Sequence, residues 1–346
     1  MIIVRFLLFP FAIIYGLITS FRNFLYDRGI LKSYSFDFPI IAVGNLSVGG
    51  TGKTPQIEYL IRLLSSTYKI ATLSRGYKRK SEGFVLADAT SNAEILGDEP
   101  YQMHLKFPTV QVAVDANRKN GIEKLLELNT KPEVILLDDA FQHRKVKAGF
   151  YILLTAYNDL FCDDFILPTG NLRESKSGAK RANMIIVTKC PRDISDITMD
   201  KIKEKLMGFL LRRNDNVEPI YFSHIDYDDK VYNDNESKNV VDIEILDKLL
   251  LAGIAKPKPF FDYVKGKNDL QLTYSDHHHF TENDIKNIQN KANNRLIITT
   301  EKDYVRLKNH NMNSLFYLPI KSSFISDSDN FDKTILNYVG TSTRNR

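Results

Sequence analysis

Eight consecutive residues, from Ser47 to Thr54, could cradle a phosphate group. They follow an apolar run, Ile40 to Val43, and precede the helix-compatible segment PQIEYLIRLLSS. In such a loop the glycines direct backbone N–H groups at phosphate oxygens, Lys53 reaches the β- and γ-phosphates, and Thr54 offers its hydroxyl to Mg²⁺. This context favours a phosphate loop over a chance glycine-rich turn. The candidate nucleotide-binding residues are Ser47, Val48, Gly49, Gly50, Thr51, Gly52, Lys53 and Thr54.

Two adjacent carboxylates, Asp138 and Asp139, close an apolar run that extends from Val134 to Leu137. An apolar strand that ends in acid, downstream of a phosphate loop, is typical of a carboxylate that organises Mg²⁺. Two neighbouring acids at the end of a buried strand are costly unless a cation or hydrogen-bond donors compensate them. A turn or a helix cap is the structural alternative. We therefore expect a magnesium site here, with either acid as the ligand.

Polar residues in the following loops could complete such a site. Arg173 and Glu174 come after Pro168 and Gly170 in the segment FILPTGNLRES. An arginine on a loop of this kind can stabilise charge that develops on a transferred phosphoryl group, and the neighbouring glutamate can join the metal shell. Gln142, just after the paired acids, can contact nucleotide or water.

Asp98 and Glu99 open the segment DEPYQMHLKF, which is predicted to form a helix. Acids in the first turn of a helix interact favourably with its dipole, so this effect alone can explain both residues. Alternatively, Asp98 lies near the γ-phosphate and acts as a base. The residues by themselves leave these two interpretations open.

Three consecutive histidines follow an acid in the segment TYSDHHHF. A transition metal is disfavoured, because contiguous residues cannot all point at one ion and no second ligand pair has a matching spacing. An exposed polar turn and a histidine that reaches the active site are the stronger interpretations. In the second interpretation, Asp276 can orient the ring of His277.

Composition excludes several classes of protein. The hydrophobic content of 43% over 346 residues supports a core for one large or two ordinary domains. The net charge of +5 includes no sustained basic block, so nucleic-acid binding is not indicated. Cys162 and Cys190 lack metal-ligand spacing and fit a reducing compartment. A guanine-reading N/TKxD loop would need Asp at Pro191, which favours ATP over GTP. No obligate protein partner is evident.

The first 21 residues are almost wholly apolar, and Arg22, Arg28 and Lys32 follow them. Arg5 interrupts the run and no small-residue cleavage site follows, which argues against a signal peptide. A membrane-spanning helix needs about 20 apolar residues, which this stretch barely reaches, and Arg5 and Pro10 weaken it. We expect a helix that lies in the membrane interface, with its basic residues at anionic head groups. A spanning helix and an ordinary core helix are the alternatives.

Strands that alternate with helices predict an α/β fold with a mostly parallel sheet flanked by helices. Ligands bind at the carboxyl edge of such a sheet, where the candidate residues cluster. From about residue 218, the alternation in EPIYFSHIDYDDKVYN indicates a two-stranded ribbon that leads to a second, smaller α/β domain. The expected divisions are a membrane-associating helix over 1–32, a nucleotide-binding domain over 33–217, a smaller domain over 218–338 that closes the cleft, and a polar tail over 339–346.

Taken in order, these segments resemble the tetraacyldisaccharide 4′-kinase family, the lipid A 4′-kinases, which are phosphate-loop kinases. The matching stretches cover nearly the whole chain: VGNLSVGGTGKTP, SRGY, GDEP, DDAFQH, PTGNLRE, AGIAKPKPFF, DHH and TTEKD. Each stretch is short, but their ordered co-occurrence is specific. The family has Ser or Thr at the position of Ser47, where the general phosphate-loop pattern has Gly, so that departure supports the resemblance. Ala140 differs from the family, which usually has Gly there.

The resemblance implies a kinase of lipid A biosynthesis that uses ATP and Mg²⁺. It would transfer the γ-phosphoryl group to the 4′-hydroxyl of a tetraacyl glucosamine disaccharide 1-phosphate. The acylated substrate implies a peripheral position at the cytoplasmic face of the bacterial inner membrane. The implied catalytic residues are Asp98 as base, His277 as its assistant, and Lys53, Arg173 and Asp139 around the transferring group. The implied metal ligands are Thr54, Asp138, Asp139 and Glu174.

The alternative function is a membrane-associated nucleotide switch or assembly ATPase, whose product is a conformation. Such a switch needs no acceptor base, whereas a kinase releases ADP only as its acceptor becomes phosphorylated. A metallochaperone NTPase is a weaker variant, because the paired Cys or His ligands that it requires are missing.

Overall fold

A computed structural model describes residues 5, 7–210, 219–276, 278–310, 312 and 314–344. Two sheets, one of nine strands and one of six, organise these residues. A separate short parallel pair joins β1 (Tyr34–Ser35) to β7 (Val146–Lys147). The α/β fold predicted from the sequence, with a mostly parallel sheet flanked by helices, is therefore confirmed.

The larger sheet is mostly parallel. Its strands are β2 (Ile40–Asn45), β3 (Ile70–Ser74), β4 (Val85–Leu86), β5 (Gln111–Val114), β6 (Val134–Asp138), β8 (Phe150–Ala156), β9 (Met184–Thr188), β10 (Ile220–Tyr227) and β17 (Ile320–Phe324). Their spatial order is β17-β10-β9-β8-β2-β6-β3-β5-β4, and only the two edge strands run antiparallel to their neighbours. Every residue of β2 and β6 is buried, as expected when helices cover both faces of a parallel sheet.

Helices pack on both faces of this sheet. They are α1 (Phe9–Asp27), α2 (Lys53–Leu64), α3 (Ala93–Leu96), α4 (Asp98–Lys106), α5 (Arg118–Leu126) and α6 (Asp196–Met207), followed at the C-terminal end by a helix over Ser328–Arg344. Ile41 and Val43 pack in one cluster with α2 and with Val339 of this last helix. Ile40 and Ala42 face a second cluster that includes α5. The segment expected to be a polar tail is therefore, up to residue 344, the end of a core helix.

The smaller sheet has the order β12-β11-β16-β15-β13-β14. Its strands are β11 (Lys230–Tyr232), β12 (Ser237–Asn239), β13 (Lys248–Ala252), β14 (Leu270–Thr273), β15 (Leu296–Thr300) and β16 (Leu315–Leu318). Its helices are α7 (Val240–Glu244), α8 (Lys258–Val264), α9 (Glu282–Ala292) and α10 (Glu301–Leu307), which makes Ser328–Arg344 helix α11. Leu250 and Ala252 face one core cluster and Leu249 and Leu251 face another, so this sheet is also covered on both sides.

The boundary between the sheets differs from the division expected at residue 218. Strand β10 pairs with β9 and β17, so residues 220–227 belong to the larger sheet. A two-stranded ribbon does join the sheets, because Tyr227 pairs with Ile320 and Tyr232 pairs with Tyr317. The alternation of apolar and polar residues indicated a ribbon. It could not show that the partner strands come from the distant segment 315–324.

Helix α1 lies against the large domain by one face and exposes the other. Pro10 occupies its first turn, where the missing N–H is tolerated. Ala12 is buried, and a Cβ added at Gly16 would lie 3.2 Å from the Ile166 side chain. None of the helices in the described part of the chain combines the length and apolar character that crossing a bilayer requires. Within α1, the large apolar side chains with at least 45% exposure are Phe9, Phe11, Ile13, Ile14, Leu17, Ile18, Phe21 and Phe24.

Candidate active site

The phosphate loop connects β2 to the N-terminus of α2. Gly49 and Gly52 have φ values of 108° and 82°, a region that side chains other than glycine rarely adopt. Gly52 is the residue that precedes the first turn of α2, and Lys53 and Thr54 begin the helix. Unpaired N–H groups at a helix N-terminus form an anion site, so the local structure supports phosphate binding.

Main-chain hydrogen bonds attach the arginine loop to the phosphate loop. The Val48 N–H donates to the Asn171 carbonyl at 2.8 Å, and the Arg173 N–H donates to the Leu46 carbonyl at 2.7 Å. Ser47 forms an antiparallel bridge with Leu172 between them. The backbone of Arg173 is thus fixed directly beside the nucleotide-binding segment, which explains how a distant loop reaches this site.

Three charged side chains from different segments converge at this edge of the sheet. Asp139 follows β6 in the left-handed region, with φ of 48°. Its carboxylate lies 3.4 Å from Lys53 Nζ and 3.0 Å from Arg173 Nη1. Burial opposes ionisation of Asp139, but Lys53 and Arg173 outweigh it and hold its pKa below the usual value. The structure therefore brings together three of the predicted catalytic residues.

The neighbouring acid, Asp138, has the opposite environment. Its side chain is buried, and its Oδ1 has no hydrogen-bond partner in the described part of the chain. Burial, reinforced by repulsion from Glu99, raises its pKa to about 7 despite the proximity of Lys53. A buried, uncompensated carboxylate beside a phosphate loop is an environment that a divalent cation would neutralise.

A metal centre made wholly of protein ligands is not found, because no group of three His, Cys, Asp or Glu side chains among the described residues could hold an ion. This arrangement fits Mg²⁺, which usually takes one or two carboxylates and completes its shell with phosphate oxygens and water.

Glu174 and Gln142 form hydrogen bonds within the protein, whereas a metal ligand and a nucleotide contact were expected from the sequence. Glu174 is 3% exposed, and it accepts hydrogen bonds from Asn23 at 2.6 Å, Arg181 at 2.7 Å and Gln142 at 3.1 Å. Gln142 also donates to the Asn45 carbonyl at 2.8 Å. Since three donors already satisfy the Glu174 carboxylate, we do not retain it as a metal ligand, nor Gln142 as a nucleotide contact.

The expected base, Asp98, begins helix α4 and faces the smaller domain. Its carboxylate forms an ion pair with Arg306 of α10 and is 26% exposed. The adjacent Glu99 lies 3.9 Å from Lys302 of the same helix. Neither cation was identified from the sequence. The Asp303 and Arg306 pair, spaced i,i+3, is the signal that could have indicated a helix there.

The expected assistant of the base, His277, lies outside the described residues. Its neighbours are anchored to the smaller domain. Asp276 lies 3.5 Å from Lys302, and His278 stacks on Tyr274 at 4.6 Å and pairs with Asp284 at 3.1 Å. The segment that carries His277 therefore approaches helix α10, which also carries the partners of Asp98 and Glu99.

Comparisons with known proteins decide the family. The family model described as Tetraacyldisaccharide-1-P 4′-kinase (LpxK) matches residues 4–340. This chain belongs to that family.

Relatives of the family resemble the chain over almost its full length. A tetraacyldisaccharide 4′-kinase of Flavobacterium psychrophilum is 68% identical, with 98% of each chain covered. One from Bacteroides thetaiotaomicron is 46% identical, covering 98% of this chain and 94% of its own length. The crystal structure of LpxK from Aquifex aeolicus in complex with ATP matches with a TM-score of 0.77 at 29% identity, covering 97% of this chain and 99% of that one. The resemblance inferred from the ordered motifs is confirmed.

As a member of the tetraacyldisaccharide-1-P 4′-kinase family, the chain also shows how its N-terminal helix meets the site. The Tyr15 hydroxyl donates to the Arg173 carbonyl at 2.9 Å, and Arg22 donates to the Gln142 carbonyl at 3.2 Å. Together with the Asn23–Glu174 bond, these contacts attach the inner face of α1 to the arginine loop. Sequence reasoning did not identify this brace, because its residues have no motif of their own.

Proposed function

We propose that this protein transfers the γ-phosphoryl group of ATP to the 4′-hydroxyl of a tetraacyl glucosamine disaccharide 1-phosphate. The observation that carries the proposal is the convergence of Lys53 and Arg173 on Asp139 beside the phosphate loop. Two cations held at a helix N-terminus suit the charge that spreads over a transferring phosphoryl group. Membership of the family supplies the acceptor.

The nucleotide would occupy the loop from Ser47 to Thr54. Thr54, Asp138 and Asp139 would hold Mg²⁺, whose chemistry is to neutralise developing charge on the phosphate oxygens. Lys53 and Arg173 would orient the γ-phosphoryl group and stabilise its charge. Most of the catalytic effect then comes from positioning and electrostatics, as is usual for phosphoryl transfer.

The acceptor hydroxyl would lose its proton to Asp98, with His277 as the assistant that the family resemblance implies. The position of Asp98 supports this role, because it begins α4 and directly follows Gly97, which lies beside Gly76 and Tyr77 just after the end of β3. A carboxylate base within reach of the acceptor hydroxyl assists transfer when it remains ionised.

The lipid substrate would be met at the cytoplasmic face of the bacterial inner membrane. The support for this position is the exposed apolar face of α1, which would enter the acyl boundary, and the basic residues Arg28 and Lys32, which would contact anionic head groups. Because the opposite face of α1 contacts the arginine loop, a substrate embedded in lipid would lie close to the nucleotide.

The test is an assay of the purified protein with ATP, Mg²⁺ and the acylated disaccharide 1-phosphate in mixed micelles. We expect phosphorylated lipid and ADP to form in equal amounts, and Asp98→Asn to lower kcat by roughly a hundredfold or more while ATP binding persists. ADP release without phosphorylated lipid would favour the nucleotide switch. Wild-type turnover by Asp98→Asn would reject the base.

A further inference from the structure

Helix α4, which begins with Asp98, packs along helix α10 of the smaller domain. Ion pairs join the two helices: Asp98 with Arg306, Glu99 with Lys302 at 3.9 Å, and Lys106 with Glu301 at 2.6 Å. The first residues of α4 contact the last residues of α10, so the helices run antiparallel. Val305 is 6% exposed and packs in one cluster with Tyr101 between these pairs. The base helix is thereby docked on the smaller domain.

The smaller domain holds Arg306 in one orientation. Its Nη1 donates to Asp303 Oδ1 at 3.2 Å, and its side chain is only 9% exposed. Asp303 is fully buried, and its Oδ2 accepts hydrogen bonds from the Gly253 N–H at 2.8 Å and the Thr300 hydroxyl at 2.7 Å. Since one end of the guanidinium is fixed by a carboxylate that cannot move, Nη2 points at Asp98 Oδ2 in a defined direction.

The guanidinium of Arg306 offsets negative charge at the start of α4. Asp98 and Glu99 are adjacent, and Asp138 lies close enough to Glu99 to be affected by its charge. Repulsion among acids favours protonation, and a protonated Asp98 could not receive the hydroxyl proton. A guanidinium at hydrogen-bond distance opposes protonation and also fixes the plane of the carboxylate.

We propose that Arg306 is a positioning residue for the base. It keeps the Asp98 carboxylate ionised and oriented toward the acceptor, and it makes this arrangement depend on docking of the smaller domain. The inference rests on the proposed function, in which Asp98 receives the hydroxyl proton. Arg306 acts through Asp98 and does not contact the substrate.

The experiment compares Arg306→Gln, Arg306→Lys and the control Lys106→Gln in the same micelle assay. Lys106→Gln removes the pair with Glu301 across the same helix interface, at the opposite end of α4 from Asp98. We expect Arg306→Gln to lower kcat roughly 10- to 100-fold, with the KM for ATP changed by less than about twofold, since nucleotide binding is unaffected. Arg306→Lys should restore part of this loss, and Lys106→Gln should change kcat by less than about threefold.

Two further measurements separate positioning from a merely structural effect. In Arg306→Gln the acidic limb of the kcat profile should move to higher pH, because the carboxylate has lost its cation. The double variant Asp98→Asn with Arg306→Gln should be no slower than Asp98→Asn alone, since both changes remove one function. Thermal unfolding and binding of a fluorescent ATP analogue show whether each variant is folded.

The possible results are distinguishable. If Arg306→Gln matches Lys106→Gln, or if its losses multiply with those of Asp98→Asn, the positioning role is wrong while the base assignment stands. If Arg306→Gln is faster than the parent, the ion pair inhibits instead of orienting. If Asp98→Asn itself is fully active, the proposed function fails at the base, whatever Arg306 does.

Discussion

The two sides of the active-site cleft are built by different kinds of contact. On the nucleotide side, Lys53, Asp139 and Arg173 come from one domain, and main-chain hydrogen bonds fix their loops together. On the acceptor side, Asp98 and Arg306 come from different domains, and side-chain ion pairs join them. The nucleotide side is therefore assembled by folding, whereas the acceptor side is assembled by docking.

This difference has an energetic consequence. Main-chain pairing at the edge of a buried sheet cannot open without local unfolding. The contacts between α4 and α10 are instead side-chain ion pairs and the packing of Val305 on Tyr101, so they involve no strand pairing within either sheet. We therefore expect substitutions on the nucleotide side to lower kcat in every conformation of the protein. Substitutions on the acceptor side should lower kcat by altering the position of the smaller domain.

The largest effect is expected from Lys53→Met, which tests whether the nucleotide side works as one unit. The change removes a cation from the phosphoryl site and should lower kcat about 1,000-fold, with little change in the unfolding temperature. Activity would be measured in the micelle assay, with Lys69→Met as a control because Lys69 is exposed and precedes β3 at the opposite edge. Retention of a tenth of the activity would contradict a shared role of Lys53 and Arg173.

Two smaller effects, of opposite sign, are expected on the unfolding temperature when Asp138 and Asp139 are changed one at a time. In the absence of Mg²⁺ at pH 8, Asp138→Asn should raise the unfolding temperature by about 2 °C, because it removes a buried carboxylate without a partner for Oδ1. Asp139→Asn should lower it by a similar amount, because Lys53 and Arg173 lose their counter-charge. Differential scanning calorimetry measures both, and shifts of the same sign would show that the two environments are not distinct.

The smallest effect concerns the interface between the domains. Lys106 is shared by Glu58 at 2.8 Å and Glu301 at 2.6 Å, and burial followed by repulsion from Glu58 raises the pKa of Glu301 from 4.5 to about 7. The folded protein therefore holds this proton more tightly than the unfolded chain. The stabilisation that this proton contributes is fully present below about pH 4.5 and is lost as the pH rises to about 7.

Glu301→Gln should flatten this dependence and raise the unfolding temperature at pH 8 by roughly 1 °C, with kcat changed by less than about twofold. Thermal scans between pH 5 and 8 would measure the slope of each protein. A lower unfolding temperature at pH 8 would mean that the ionised pair with Lys106 is net stabilising. The smaller domain would then be held more firmly against the larger one than we propose.

The nucleotide side could be predicted from the sequence for a physical reason. Carboxyl ends of parallel strands meet at one edge, so an acid at the end of β6 and a glycine loop after β2 must lie near each other. Lys53 and Asp139 illustrate this rule. Arg173 was found through its motif, and only the structure shows the backbone pairing that delivers it.

The acceptor side could not be predicted in the same way, because docking of two domains leaves no periodic signal. Arg306 lies on a short helix with no motif around it. Its contact with Asp98 of α4, about 200 residues earlier, is visible only in the structure. Glu174 shows the converse case: the motif does not predict the hydrogen bonds that its carboxylate accepts from Asn23, Gln142 and Arg181. The sheet membership of β10 was also missed, since alternation does not identify a strand's neighbour.

The pairing of Tyr227 with Ile320 means that the chain leaves the larger sheet and returns to it at the same place. In topological terms, residues 228–319 are a single insertion in one hairpin, and a two-residue turn between these positions would close the same strands. The order of the remaining strands and the place of α11 would be unchanged. The smaller domain, which carries Arg306, is thus an addition to a nucleotide-binding fold that is continuous without it.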